Sequence, residues 1–263
     1  MHDAREGLSA SGIIVTGACR DRVAAAFEPV VESAVDRVRQ VSAGSLYLYG
    51  SVATGAAVRG SSDVDLMTVG VPRSEAEAIG RELSGAFTGV CRGVEVGVVE
   101  PDDYVGDSDE AYGNRVFLRH YCVHLAGPDG RASLPDFLGD VRAARGFNGD
   151  LARHSERWRE AIDHGDDASA LGRRLARKTL LAMAGLVSVH DNCWTTDRAV
   201  AAKRWPAIDP STGEGVKTLT RWADGHDVTT GKDIYDALNG IVASTTAAFA
   251  ASIGLWPTPG MSW

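Results

Sequence analysis

The spacing of hydrophobic positions changes several times along the chain, and each change marks an element. From Asp21 to Gln40, Val23, Ala26, Phe27, Val30, Ala34 and Val38 recur at helical spacing. That predicts an amphipathic helix, with Pro29 inside it as a point for a kink or a break. Leu46-Tyr47-Leu48-Tyr49 is an apolar and aromatic run stopped by Gly50, which reads as a strand. Val64, Leu66 and Val69 predict a second strand with Asp63 and Asp65 inside its start. Ser74 followed by Glu77 predicts a capping box. It heads a helix through Phe87 whose apolar stripe is Ala78, Ile79, Leu83 and Phe87. Val94 to Val99 alternates as a strand does, with Val94, Val96 and Val98 on one face and Glu95, Gly97 and Val99 on the other. Asn114 to Leu125 is mostly apolar and reads as a strand or a short helix. The turn Gly127-Pro128-Asp129-Gly130 closes it.

Beyond that turn the period is helical. Predicted segments are Leu151 to His164, Ala168 to Val189, Asp197 to Trp205, Gly213 to Ala223 and Asp233 to Ile253. The second is striped by Leu171, Leu175, Ala182, Met183 and Leu186. Linked helices of this length predict a small bundle. The expected fold class is therefore an α/β (α+β) domain with a mixed sheet, residues 1–135, followed by an all-α helical bundle, residues 136–263.

Composition supports that division. Residues 1–150 carry 22 acidic and 14 basic side chains, while residues 151–263 carry 13 of each. All six tryptophans and all four lysines lie after residue 150. An acidic first half argues against a nucleic-acid-binding protein, which shows a basic face. It is compatible with a small cationic partner drawn by the field, and equally with a charge that serves solubility. No apolar run approaches the roughly 18 residues a membrane helix needs, and the polar start MHDAREGLSASG does not read as a signal peptide. The four cysteines (Cys19, Cys91, Cys122, Cys193) form no CxxC pair, so reduced, buried thiols in a cytoplasmic protein are expected.

The candidate chemistry lies between residues 46 and 69. At the Gly50-Ser51 corner, backbone N–H groups can approach a phosphate with no Cβ in the way. Asp63 and Asp65, two apart on a strand, project to one side about 7 Å apart. Two such carboxylates repel unless a cation sits between them. A hard divalent ion such as Mg2+, which also suits phosphates, fits. Elsewhere the signals are weaker. His120 and His124 are spaced for zinc on a helix, but the Glu of HExxH is missing, and a packed pair is expected. Residues 100–111 are rich in acids and read either as a solvated loop or as the rim of an acceptor site. Arg173, Arg174, Arg177 and Lys178 read as a solvated cationic face, and Trp194 falls in a loop ahead of Arg198.

Gly50-Ser51, the spacer and Asp63-Val64-Asp65-Leu66 together resemble the nucleotidyltransferase superfamily of DNA polymerase β. Tyr49 to Gly55 and Ser61 to Leu66 look most like its bacterial streptomycin/spectinomycin adenylyltransferases. The resemblance implies a magnesium-dependent enzyme that moves a nucleoside monophosphate, AMP from ATP, to a hydroxyl and releases pyrophosphate. It implies Asp63 and Asp65 as metal ligands, and Glu95 as a third acid, either general base on the acceptor or a further ligand. It implies Gly50, Ser51 and Ser62 as nucleotide contacts. More loosely, Arg177 to Leu181 and Trp194 to Trp205 resemble the helical domain of these enzymes, which closes the active-site cleft. That places Lys178 and Arg198 on the triphosphate. Four acceptor or function classes remain open: an aminoglycoside-type antibiotic, a protein side chain, a natural-product intermediate, or no turnover at all in a nucleotide-binding regulator.

Overall fold

The computed structural model describes residues 3–227 and 229–257. Met1, His2, Val228 and residues 258–263, with Trp263 among them, lie outside the described residues. The chain divides into two compact units, one ending at Phe137 and the other beginning at Leu138.

The first unit is a four-stranded sheet with helices on its faces. A two-residue hairpin, β1 (Gly7–Leu8) and β2 (Ile14–Val15), precedes α1 (Glu28–Val41), β3 (Ser45–Tyr49), the five-residue α2 (Gly50–Thr54), β4 (Val64–Val69), α3 (Arg73–Ala86), β5 (Val94–Val99), α4 (Asp109–Tyr121) and β6 (Val123–Ala126). The strand order is β5-β4-β3-β6. β3 runs antiparallel to β4 and β6, and β4 runs parallel to β5. A parallel pair needs a crossover, and α3 supplies it.

Alternation along the strands makes two faces. Leu46, Leu48, Val64, Leu66 and Val94 turn into a core shared with Val30, Ala34 and Val38 of α1 and Ala76, Ile79 and Leu83 of α3. Tyr47 and Met67 turn the other way and pack with Leu118 and Cys122, flanked by Tyr49, Tyr104 and Phe117. The first face is thus closed by aliphatic packing, and the second keeps room for polar side chains at the ends of the strands.

Several boundaries differ from expectation. The helix expected from Asp21 is broken: a 3-10 turn covers Arg20–Arg22, and α1 starts at Glu28 with Pro29 in its first turn. Proline belongs there because that N–H has no intrahelical partner. The capping box at Ser74 does not form. Pro72 is the N-cap, no side chain caps the helix, and Ser74 already lies inside the first turn. Asn114 to Leu125 holds the end of a helix and then a strand, so His120 and His124 sit on different elements. His120 Nε2 accepts from Phe137 N at 2.9 Å, and His124 Nε2 bonds the Gly127 carbonyl at 2.9 Å. The acidic run is partly structured, with a 3-10 turn over Pro101–Tyr104. Asp109 and Glu110 stand in the first turn of α4, behind the Ser108 cap; carboxylates suit that positive helix end.

The second unit is built around α7 (Ala168–His190), buried along most of its length. Around it pack α5 (Val141–Asn148), α6 (Leu151–Asp163), α8 (Arg198–Ile208), α9 (Gly213–Asp224) and α11 (Ala243–Ser252). The last helical stretch begins as α10 (Gly231–Ala237) and passes through a π-helical turn, Leu238–Val242, into α11. A Thr230/Asp233 capping box starts it. α5 has no counterpart among the expected helices. Trp194 is buried edge-on to Phe147, a packing role. Cys91 and Cys122 are buried, Cys19 and Cys193 are only half-buried, and none of the four is joined in a disulfide. No helix among the described residues is long and apolar enough to cross a membrane.

Candidate active site

Strand register brings the acidic residues together. Tyr49 of β3 pairs with Asp65 of β4, and Asp65 pairs with Glu95 of β5. Directly paired residues share a face, so these three side chains form one row across three strands. Leu48, Leu66 and Val96, the next row inward, face the opposite side. Asp63 precedes the first residue of β4, two positions from Asp65 on the same side. The two-residue spacing, the strand rise and the parallel register together place Asp63, Asp65 and Glu95 at one end of the sheet.

The Gly50 corner borders this row. Gly50 has φ +72, and a Cβ built on it would run into Asp65 Oδ2. Glycine is required twice over, for a left-handed backbone and for the space the carboxylate fills. Ser51 follows in α2, half-buried. Ser62 is different. It is buried, and its Oγ accepts from Val58 N at 2.9 Å. That bond closes the 58–62 turn ahead of Asp63.

The electrostatics are unbalanced. Burial, then the charges of Glu95 and Asp63, push the Asp65 carboxyl up to about 6. Burial, then Asp65 and Glu95, also raise the Tyr49 phenol. Among the described residues the cation beside these carboxylates is Arg92, which sequence reasoning missed. Its Nε donates to Asp63 Oδ1 at 3.0 Å and its Nη2 to Oδ2. That hydrogen bond, with the Asp63 charge, raises the Arg92 pKa. The signal was available once β4 and β5 are aligned. With Asp65 beside Glu95, the chain next to Asp63 is Arg92-Gly93.

The oxygens at this strand end are those a divalent cation takes. All are hard carboxylate oxygens, and burial, Glu95 and Asp63 raise the Asp65 carboxyl more than Arg92 lowers it. Among the described residues no group of three or more His, Cys, Asp or Glu side chains forms a ready metal cage. A site of two carboxylates, completed by water and phosphate oxygens, is what magnesium commonly uses. The residues fit.

The two basic residues expected on the triphosphate belong to the second unit. Lys178 Nζ lies 2.6 Å from Asp150 Oδ1 and donates to the Phe147 carbonyl at 3.1 Å. Asp150 also pairs with His154 at 3.0 Å. Burial raises the Asp150 pKa, but His154 and Lys178 outweigh it and hold the carboxyl below its ordinary value. Lys178 is therefore engaged within its own bundle. Arg198 begins α8, half-buried, with no carboxylate at ion-pair distance among the described residues. Burial, then nearby Arg177, lower its pKa.

A glycine corner beside a row of carboxylates at a strand end offers backbone donors that suit a phosphate and oxygens that suit a hard cation. Residues 31–117 match the model of the family described as nucleotidyltransferase domain. The matched segment contains Gly50, Ser51, Asp63, Asp65, Arg92 and Glu95. No curated protein matches the chain. Among solved structures, the chain aligns with spectinomycin adenyltransferase AAD(9) from Enterococcus faecialis, crystallised with ATP and spectinomycin. The identity is 13%, the alignment covers 81% of this chain and 98% of that one, and the TM-score is 0.49.

Proposed function

We propose that this protein transfers a nucleoside monophosphate, AMP from ATP, to a hydroxyl of a small molecule of the aminoglycoside type, and releases pyrophosphate. The observation that carries the reading is the Asp65–Glu95 register beside Asp63 and Gly50, inside a segment that matches a nucleotidyltransferase domain.

Asp63 and Asp65 are the ligands for Mg2+. The ion, when bound, neutralises the phosphates and the leaving pyrophosphate. Gly50 and Ser51 bind the terminal phosphates through backbone N–H groups, and the Ser51 hydroxyl adds a donor. Glu95 is exposed and holds no ion pair among the described residues, so its carboxylate is free to accept the proton of the acceptor hydroxyl. That oxygen bonds to the α-phosphorus as the bond to the β-phosphate oxygen breaks. Tyr49 walls the row on its β3 side.

The test is pyrophosphate release from each common triphosphate with Mg2+ across a panel of aminoglycosides and aminocyclitols. Release that depends on one acceptor is expected. Glu95→Gln should lower kcat roughly 100-fold or more, the scale of general-base loss, with nucleotide affinity within a few-fold of wild type. No release with any acceptor, or full activity in Glu95→Gln, would overturn the reading.

A further inference from the structure

Arg92 stands in an unusual position for a basic residue at a cation site. Its side chain is 63% exposed, while Asp63, which it grips, is 16% exposed. The guanidinium therefore reaches in from solvent and covers a largely buried carboxylate. The grip is two-pronged, Nε to Oδ1 and Nη2 to Oδ2, and uses both oxygens that a metal would use. Glu95 and Asp65 also face Arg92 and raise its pKa.

The backbone around it is fixed. Arg92 N donates to the Ser62 carbonyl at 3.0 Å, and Val64 N donates to the Gly93 carbonyl at 2.9 Å. These bonds tie the residues before β4 to those before β5, so Arg92 can leave Asp63 only by turning its side chain. A Cβ built on the neighbouring Gly93 would stand 3.7 Å from Asp63 Oδ1, an ordinary contact. A pair that is mostly exposed on one side is weakly held and easily exchanged.

We propose that Arg92 is a resident counter-ion for Asp63, which a divalent cation must displace before it can bind. This rests on the transferase reading above, because it needs Asp63 and Asp65 to be cation ligands. Arg92 lowers the affinity for a free cation by keeping most molecules in the covered state. On release, the guanidinium is left beside the bound polyphosphate, whose oxygens it can meet with its planar fork. The site then resists loading by a bare ion and favours loading by a cation that arrives with its nucleotide.

Mn2+ binding, read by electron paramagnetic resonance of the free ion without nucleotide, tests this directly. Arg92→Gln should tighten Mn2+ roughly three- to tenfold, the size expected from removing a weak competing pair. Arg81→Gln, on α3, makes the same charge change at an exposed position and should leave the affinity unchanged. In the presence of a non-hydrolysable ATP analogue the order should reverse, with Arg92→Gln weaker than wild type. Thermal melts in EDTA identify any variant that fails to fold, and Arg92→Lys then replaces Arg92→Gln, with an intermediate gain expected. Equal Mn2+ affinity in wild type and Arg92→Gln, or equal tightening by Arg81→Gln, overturns the proposal and leaves the transferase reading standing. No Mn2+ binding by any of the proteins overturns both.

Discussion

Asp65 is the residue on which the charge balance of the site turns. Its carboxyl is pushed from its ordinary 3.8 up to about 6, by burial first and then by Glu95 and Asp63. The folded state therefore holds a proton that the unfolded state gives up, and stability falls as pH rises from about 4 through 6. At neutral pH the ionised group should cost the metal-free fold about 3 kcal/mol. Asp65→Asn should raise the melting temperature in EDTA at pH 7.5, with the gain vanishing near pH 4; equal melting of the two proteins at pH 7.5 would refute the assignment. The Asp63/Asp65 pair was legible in the sequence because strands alternate with period two. Arg92 was not, because its contact with Asp63 depends on which residues of β5 lie beside β4. Nor was the bond from Val58 N to Ser62 Oγ, which closes the turn ahead of Asp63, because adjacency in sequence says nothing of a hydroxyl's partner.

At the scale of elements, the β3–α2 corner is the sharpest constraint. Ala at Gly50 would meet both a left-handed backbone, which costs roughly 1–2 kcal/mol, and Asp65 Oδ2. Gly50→Ala should lower the melting temperature and reduce activity on the order of 100-fold, the scale of a misplaced reacting group. Gly60 provides the control, with φ +77 and open space around a built Cβ. Gly60→Ala should share the strain and keep the activity, and a matching activity loss there would show that backbone strain alone is responsible. Strands and long helices were legible because their periodicity is strong, as for β5 and α7. Helix starts were less so. Pro72 and Pro29 set the beginnings of α3 and α1, whereas Ser74-x-x-Glu77 imitated a cap. α5 escaped notice because it is only eight residues long and its buried side, Ala143, Ala144, Gly146 and Asn148, is small or polar rather than a stripe of large apolar side chains.

At the scale of the molecule, the net charge of −8 lies wholly in residues 1–150. That field should draw a cationic acceptor. Its KM should rise several-fold between roughly 50 and 300 mM salt as screening shortens, while that of an uncharged hydroxylated acceptor stays flat; equal salt response of both would show the charge serves solubility. The shift in composition near residue 150 signalled two units, because an acidic sheet and a tryptophan-bearing bundle draw on different residues. The pairing of β4 with β5 has a wider consequence. The same alignment that sets Asp65 beside Glu95 buries Val64, Leu66 and Val94, so slipping either strand by one residue would drive an acid into oil and turn valines outward. Catalytic competence is thereby locked to correct folding: a deletion in the 87–93 connection should either leave a working enzyme or yield no soluble protein, with few inactive but well-folded products between.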